Sequence, residues 1–136
     1  MADSTIYDQF EQLTPDEKSY ILSHPHHAVA IRESRNLAFI ETKRWFGRNG
    51  RNDKSDAFRH CFWSALLARE IGYENALKFT AAHESSPAND PAEKAMDLHN
   101  NRVGLGIGKG NRTDQQLAAM CLSVLRAGRL KVLSGG

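Results

Sequence analysis

The segment between Asp53 and Gly72 constrains the fold most. Phe58, Cys61, Phe62, Ala65, Leu66 and Ile71 recur there at intervals of three and four residues, which lines them along one face of an α-helix and does not fit the two-residue alternation of a half-buried strand. Asp53 or Ser55 can cap the start of this helix, and Gly72 supplies its stop. A helix with so broad an apolar face must be covered by other elements.

The covering elements read as helices too. Thr14-Pro15-Asp16-Glu17 combines a capping oxygen, a proline at the first helical position and a carboxylate at the third, so backbone donors are satisfied reciprocally. This predicts a helix to about Ser23, interrupted by His24-Pro25-His26-His27, three histidines that read as an exposed helix junction. Val29, Leu37, Ile40 and Phe46 predict a second helix ending at Gly47, and Arg48-Asn49-Gly50-Arg51-Asn52 is turn chemistry. A fourth helix is expected from about Glu74 to Glu84, then a loop over residues 85–89. Asp90-Pro91-Ala92-Glu93 repeats the cap pattern and starts a fifth helix through Met96 and Leu98 towards Val103. The run Gly104-Leu105-Gly106-Ile107-Gly108-Lys109-Gly110 is expected to end it, since each helical glycine costs roughly 1 kcal/mol. Thr113-Asp114-Gln115-Gln116 caps a last helix.

No period-two alternation bounded by turns and no internal repeat is visible. With 136 residues, 40% hydrophobic and 25% charged, the expectation is an all-α fold, a single helical domain over residues 1–136 built as a bundle of about five to six helices.

Charge excludes one class of partner surface. Eighteen Lys and Arg against 16 Asp and Glu leave a net charge of only +2, too little for a whole-surface phosphate field. Local patches at Arg44, Arg48 and Arg51, and at Arg126, Arg129 and Lys131, keep nucleic acid as a candidate partner. No run approaches the roughly 20 apolar residues needed to span a bilayer, and residues 1–5 lack the basic and then apolar regions of a secretory signal. The chain is therefore expected to be made in the cytoplasm. Cys61 and Cys121, both among apolar residues, read as reduced core cysteines.

Three polar blocks interrupt the apolar helices: Asp56-Ala57-Phe58-Arg59-His60-Cys61-Phe62-Trp63, Ala81-Ala82-His83-Glu84, and Met96-Asp97-Leu98-His99-Asn100-Asn101. Asp56 and His60 are one helical turn apart, so the carboxylate can fix the imidazole's tautomer, with Trp63 close to the same stripe. Asp97 and Asn101 share a face, whereas His99 points nearly the opposite way unless the helix ends or distorts. Imidazole and carboxylate suit zinc, manganese and similar hydrolytic metals, and three protein ligands plus an open water position make a catalytic site. His60, His83, Glu84, Asp97 and His99 could supply such a set from three helices. The same residues also fit core histidines paired with local carboxylates, because no pair matches a zinc motif such as His-Glu-x-x-His. Cys61 follows His60 directly but diverges from it by about 100° on a helix, which argues against a Cys-His nucleophile. The glycine run with Lys109 lacks the preceding strand and the Gly-Lys-Ser/Thr ending of a phosphate loop.

The stretch from about residue 52 to 108 resembles a bacterial domain family of unassigned function, through Asp56-Ala57-Phe58-Arg59-His60-Cys61-Phe62-Trp63, Ala82-His83-Glu84 and Met96-Asp97-Leu98-His99-Asn100-Asn101-Arg102-Val103-Gly104 in that order. Such domains occur at the ends of large secreted bacterial proteins, polymorphic toxins among them. The resemblance implies an exported antibacterial effector, carried by a specialised secretion system and countered by a cognate immunity protein. A weaker likeness links the chain to the all-helical HD phosphohydrolases, from which it departs by Glu84 in place of aspartate and by shorter intervals between blocks. That likeness implies His60, His83 and Asp97 as metal ligands, Glu84 as ligand or general base, and Arg59 as a group stabilising phosphoryl charge.

The reading is a metal-dependent hydrolase using a divalent ion such as Zn, Mn or Mg, with a phosphodiester in nucleic acid or phospholipid favoured. Asp56 orients His60, and His99, Asn100, Asn101 and Trp63 touch the substrate or brace the ligands. Hydrolysis of peptidoglycan or a lipid-linked wall precursor is the nearest alternative. A metal-free acid/base hydrolase using His60 with Asp56 and a non-enzymatic interaction module are the other two.

Overall fold

Four of the helices begin where a side-chain oxygen replaces a missing backbone partner. Thr14 Oγ1 accepts from the Glu17 amide at 3.1 Å while Glu17 Oε1 accepts from the Thr14 amide at 2.8 Å, opening α1 (Pro15–Ser23). Thr113 and Gln116 repeat this reciprocal cap. Asp53 and Asp90 accept from Asp56 and Ala92. A computed structural model of the chain describes residues 12–86 and 90–134. Beyond α1 these hold α2 (Ala28–Phe46), α3 (Lys54–Ile71), α4 (Tyr73–His83), α5 (Pro91–Ile107) and α6 (Asp114–Arg126). A single 3-10 turn, Pro25–His27, joins α1 to α2, and no strand occurs among the described residues. The fold is an all-α bundle. Residues 1–5, read above for a targeting signal, and residues 87–89 of the expected loop lie outside the described residues.

The central helix is α3, buried along almost its whole length from Ser55 to Ile71, with α2, α4, α5 and α6 packed around it. Phe58, Phe62, Leu66 and Leu67 fill the middle of the core together with Phe79, Met96, Leu105 and Leu117. Cys61 and Cys121 meet there as thiols, their Sγ atoms 3.3 Å apart.

The glycine run does not end α5. The helix continues through Gly104 and Gly106 to Ile107, because two glycines let its backbone touch α3. A Cβ at Gly104 would collide with the Cys61 carbonyl, and one at Gly108 with the Ala65 carbonyl. Close packing of the two helices thus outweighs the poor helix propensity of glycine.

Beyond α6 the chain folds back across the molecule. Leu130 enters the core, and the amides of Leu133 and Ser134 donate to the Asn52 carbonyl. No helix among the described residues is long and apolar enough to cross a membrane. The first basic patch is largely paired: Arg44 with Glu41, Arg48 with Asp53 and Arg51 with Glu93.

Candidate functional site

His60 lies where α3, α4 and α5 converge, and both ring nitrogens are engaged. Its Nε2 stands 3.2 Å from Asp56 Oδ1, one turn earlier on α3, and 3.4 Å from Asp97 Oδ1 on α5. Its Nδ1 stands 3.3 Å from Asn101 Oδ1. The one-turn spacing of Asp97 and Asn101 therefore lets α5 grip opposite edges of one imidazole.

The partners of Asn101 decide its orientation. Its Nδ2 donates to Glu84 Oε2 at 3.4 Å, and its Oδ1 accepts from Ser64 Oγ at 3.1 Å. A carboxylate only accepts, so the amide must turn its NH2 to Glu84 and its oxygen to His60. His60 then carries a proton on Nδ1 and directs Nε2 between Asp56 and Asp97. Asp56 is braced in turn by the Asn52 amide at Oδ2, 2.7 Å, and by Arg59 at Oδ1, 2.7 Å.

With His60 neutral, three acceptor atoms thus face one another; with a second proton, Nε2 instead donates to Asp56 and attracts both carboxylates. Asp56, His60 and Asp97 can each offer a ligand atom within 4.8 Å of the others, and buried Asp97 Oδ1 has no hydrogen-bond donor among the described residues. Burial pushes the Asp97 carboxyl up to about 6, against the attraction of His60, with the Glu84 and Asp56 carboxylates adding to the rise. Asp56 behaves oppositely. Burial raises it, but the bonds from His60 and the Asn52 amide and the charge of Arg59 outweigh that and hold it below the usual carboxylate value.

The remaining expected members are placed differently. Glu84 is buried at the Nδ1 edge, 3.9 Å from His60 and bonded to Asn101, away from the Nε2 cluster. His83 ends α4 and turns to Glu17 Oε2 at 2.8 Å, so neither joins Asp97 around Nε2. His99 and Asn100 are not at the site. Because α5 runs undistorted through this region, His99 points away from Asp97 and meets the Arg129 carbonyl at 2.9 Å. Asn100 clamps both backbone groups of Lys131. These two residues tether the C-terminal segment. Trp63 packs edge-on to His60 and beside His83, with ring centroids 6.4 and 5.1 Å apart.

Glu17 is the member that sequence reasoning missed. Its role as a capping carboxylate accounts for one oxygen, while the other reaches His83 across 66 positions of chain. Loss of solvent pushes His83 down and Glu17 up, each against its charged form, but their mutual hydrogen bond and charge dominate. His83 ends above its ordinary value and Glu17 below.

A family model described as a domain of unknown function (DUF6973) matches residues 18–129. The chain belongs to this family. The match takes in every residue placed around His60, with Glu17 one position outside it. No curated protein and no solved structure matches the chain.

Proposed function

We propose that this domain is a metal-dependent hydrolase of phosphoesters, with Asp56 Oδ1, His60 Nε2 and Asp97 Oδ1 holding one divalent cation. The observation that carries the reading is the convergence of these three acceptors with no donor for Asp97. Buried lone pairs facing one another need a positive centre between them. A second proton on His60 is one such centre and a metal ion is the other. The outer partners favour the metal, because Asn101 fixes the imidazole's tautomer while Asn52 and Arg59 brace Asp56, as the groups around metal ligands commonly do. Two carboxylates and one imidazole suit Zn, Mn or Mg, leaving positions for water and substrate.

When bound, such an ion lowers the pKa of a coordinated water and neutralises charge on a phosphoryl oxygen. The chain's own residues would do the rest. Asn101 keeps the Nε2 lone pair aimed at the cluster, Arg59 stabilises charge on the phosphoryl group, and Trp63 limits the movement of the His60 ring. Net hydrolysis adds water across one P–O bond, with hydroxyl going to phosphorus and the proton to the departing oxygen. The antibacterial effector role, with its immunity protein and secretion carrier, belongs to the same proposal and rests on the sequence resemblance. Expression in the bacterial cytoplasm and periplasm separately, scoring DNA loss against membrane damage, tests it.

Calorimetric titration of metal-stripped protein with Mn2+, paired with turnover of bis(p-nitrophenyl) phosphate, tests the chemistry. One ion per chain and turnover that chelator abolishes are expected, both lost in Asp97→Asn. Folded protein that neither binds Mn2+, Zn2+ or Mg2+ nor turns over the ester overturns the reading; turnover indifferent to chelator replaces it with acid/base chemistry by His60 and Asp56.

A further inference from the structure

His60 has a second environment besides the carboxylates. Its ring forms part of the wall of a groove of about 420 Å3 between α1, α2, α3 and α4. Ile21, Ile31, Ala38, Trp63 and Phe79 make its floor apolar. Its lip is apolar as well, since Val29 is 57% exposed and Phe39 37%. Concave apolar spaces of this size with a few convergent polar groups are typical of small-molecule sites.

The polar groups of the groove are mostly cationic. Arg32, Arg35 and Arg59 line it with His60 and His83, against one carboxylate, Glu17, which His83 already engages. Among the described residues Arg32 and Arg35 have no carboxylate partner. Arg35 and Arg59 share the ring of Phe39, with guanidinium carbons 4.9 and 5.0 Å from its centroid. Asp56 already balances Arg59, so among the described residues Arg35 is the guanidinium at this ring left without a carboxylate, and an anion placed beside it would supply one. An apolar floor with arginines at its edge complements an anionic head joined to a hydrocarbon tail. It complements nucleic acid poorly, because a nucleic-acid site presents basic groups along an open track and ring faces for stacking.

We propose that the groove is the tail subsite of the hydrolase's substrate, and that the substrate is an anionic lipid phosphate whose acyl or prenyl chain lies over Trp63 and Phe79 while Arg32 and Arg35 hold its head near His60. The inference rests on the hydrolase reading for the reaction but not for the binding.

The test reads binding alone. The chain has two tryptophans, and Trp45 lies on the exposed side of α2, so Trp45→Phe leaves Trp63 as the single fluorophore in the groove wall. Metal-free Trp45→Phe protein is titrated with dodecyl phosphate below its micelle concentration. A saturable change in Trp63 emission is expected. Dodecyl maltoside, with the same tail and no charge, should bind several-fold more weakly, and inorganic phosphate or oligothymidylate should leave the emission unchanged. Arg35→Gln should weaken dodecyl phosphate about fivefold without affecting the maltoside, the loss of one charge-assisted contact. Val29→Gln, on the exposed lip where folding is not at stake, should weaken both.

No saturable response to dodecyl phosphate overturns the proposal. So does oligothymidylate or inorganic phosphate binding as tightly as dodecyl phosphate, or binding indifferent to both Arg35→Gln and Val29→Gln. Because neither metal nor turnover is needed, failure to bind Mn2+, Zn2+ or Mg2+ together with failure to turn over the ester would sink the hydrolase and leave the lipid groove standing. Turnover of a small soluble ester without dodecyl phosphate binding would do the reverse.

Discussion

Asp97 and Asn101 bear the site's energetic burden in different ways. Asp97 presents a buried oxygen with no donor, beside Asp56 and Glu84, so in metal-free protein near neutral pH its charge is held at a cost. Asp97→Asn removes that charge and keeps the shape. Metal-stripped Asp97→Asn should therefore be more stable than the parent by about 1–2 kcal/mol, read from urea midpoints, even though Mn2+ binding is lost. A melting temperature lowered by the substitution would make Asp97 a structural partner of His60 and nothing more. Asn101 is the converse case, because it satisfies His60, Ser64 and Glu84 at once. Asn101→Leu should destabilise by about 1–3 kcal/mol through the polar groups left unpaired, and in protein that still folds it should weaken Mn2+ binding roughly 10–100-fold. Unchanged affinity would show that the tautomer of His60 is set elsewhere.

Among the helices, α5 is the informative element, since one stretch of it serves the site, the core and the C-terminal segment on separate faces. Much of this was legible: caps, the stops at Gly47 and Gly72, and the shared face of Asp97 and Asn101 all follow from local chemistry and a 3.6-residue period. What lay beyond reach was what each face would meet. His99 could be read as pointing away from Asp97, but its partner, the Arg129 carbonyl, is set by how the chain folds back after α6. The glycine run misled for a related reason, because propensity sees only the helix itself and the reward for Gly104 is contact with Cys61 on another element. A pair of substitutions separates the two effects. Gly104→Ala should destabilise by about 1–3 kcal/mol or more through overpacking against α3, whereas Gly106→Ala, with nothing near the added Cβ, should stabilise by about 0.5–1 kcal/mol through helix propensity. Equal effects of the two in urea denaturation would remove close approach as the reason for the run.

At the scale of the whole molecule, the bond between Glu17 and His83 joins α1 to the end of α4 and closes one side of the groove. It was illegible because its two residues are far apart in the chain and Glu17 already had a sufficient local explanation as a cap. The bond makes the attachment of α1 depend on pH in a definite way. Glu17 is held below its ordinary 4.5, so its contribution is present above that value and is lost as pH falls through the depressed one. His83 is held above its ordinary 6.5, so its contribution is complete below 6.5 and is lost as pH rises through the elevated value. The clasp is therefore strongest between about 4.5 and 6.5 and weakens on both sides, with the alkaline limb shallow because the His83 side chain is 43% exposed and screened by solvent. Comparing the parent with Glu17→Gln isolates it, since glutamine preserves the cap to Thr14 and the Asp97 cluster titrates in both proteins. The difference in melting temperature should peak near pH 5–6 and shrink towards pH 4 and pH 8; a difference constant over that range would mean that Glu17 stabilises the molecule only as a cap.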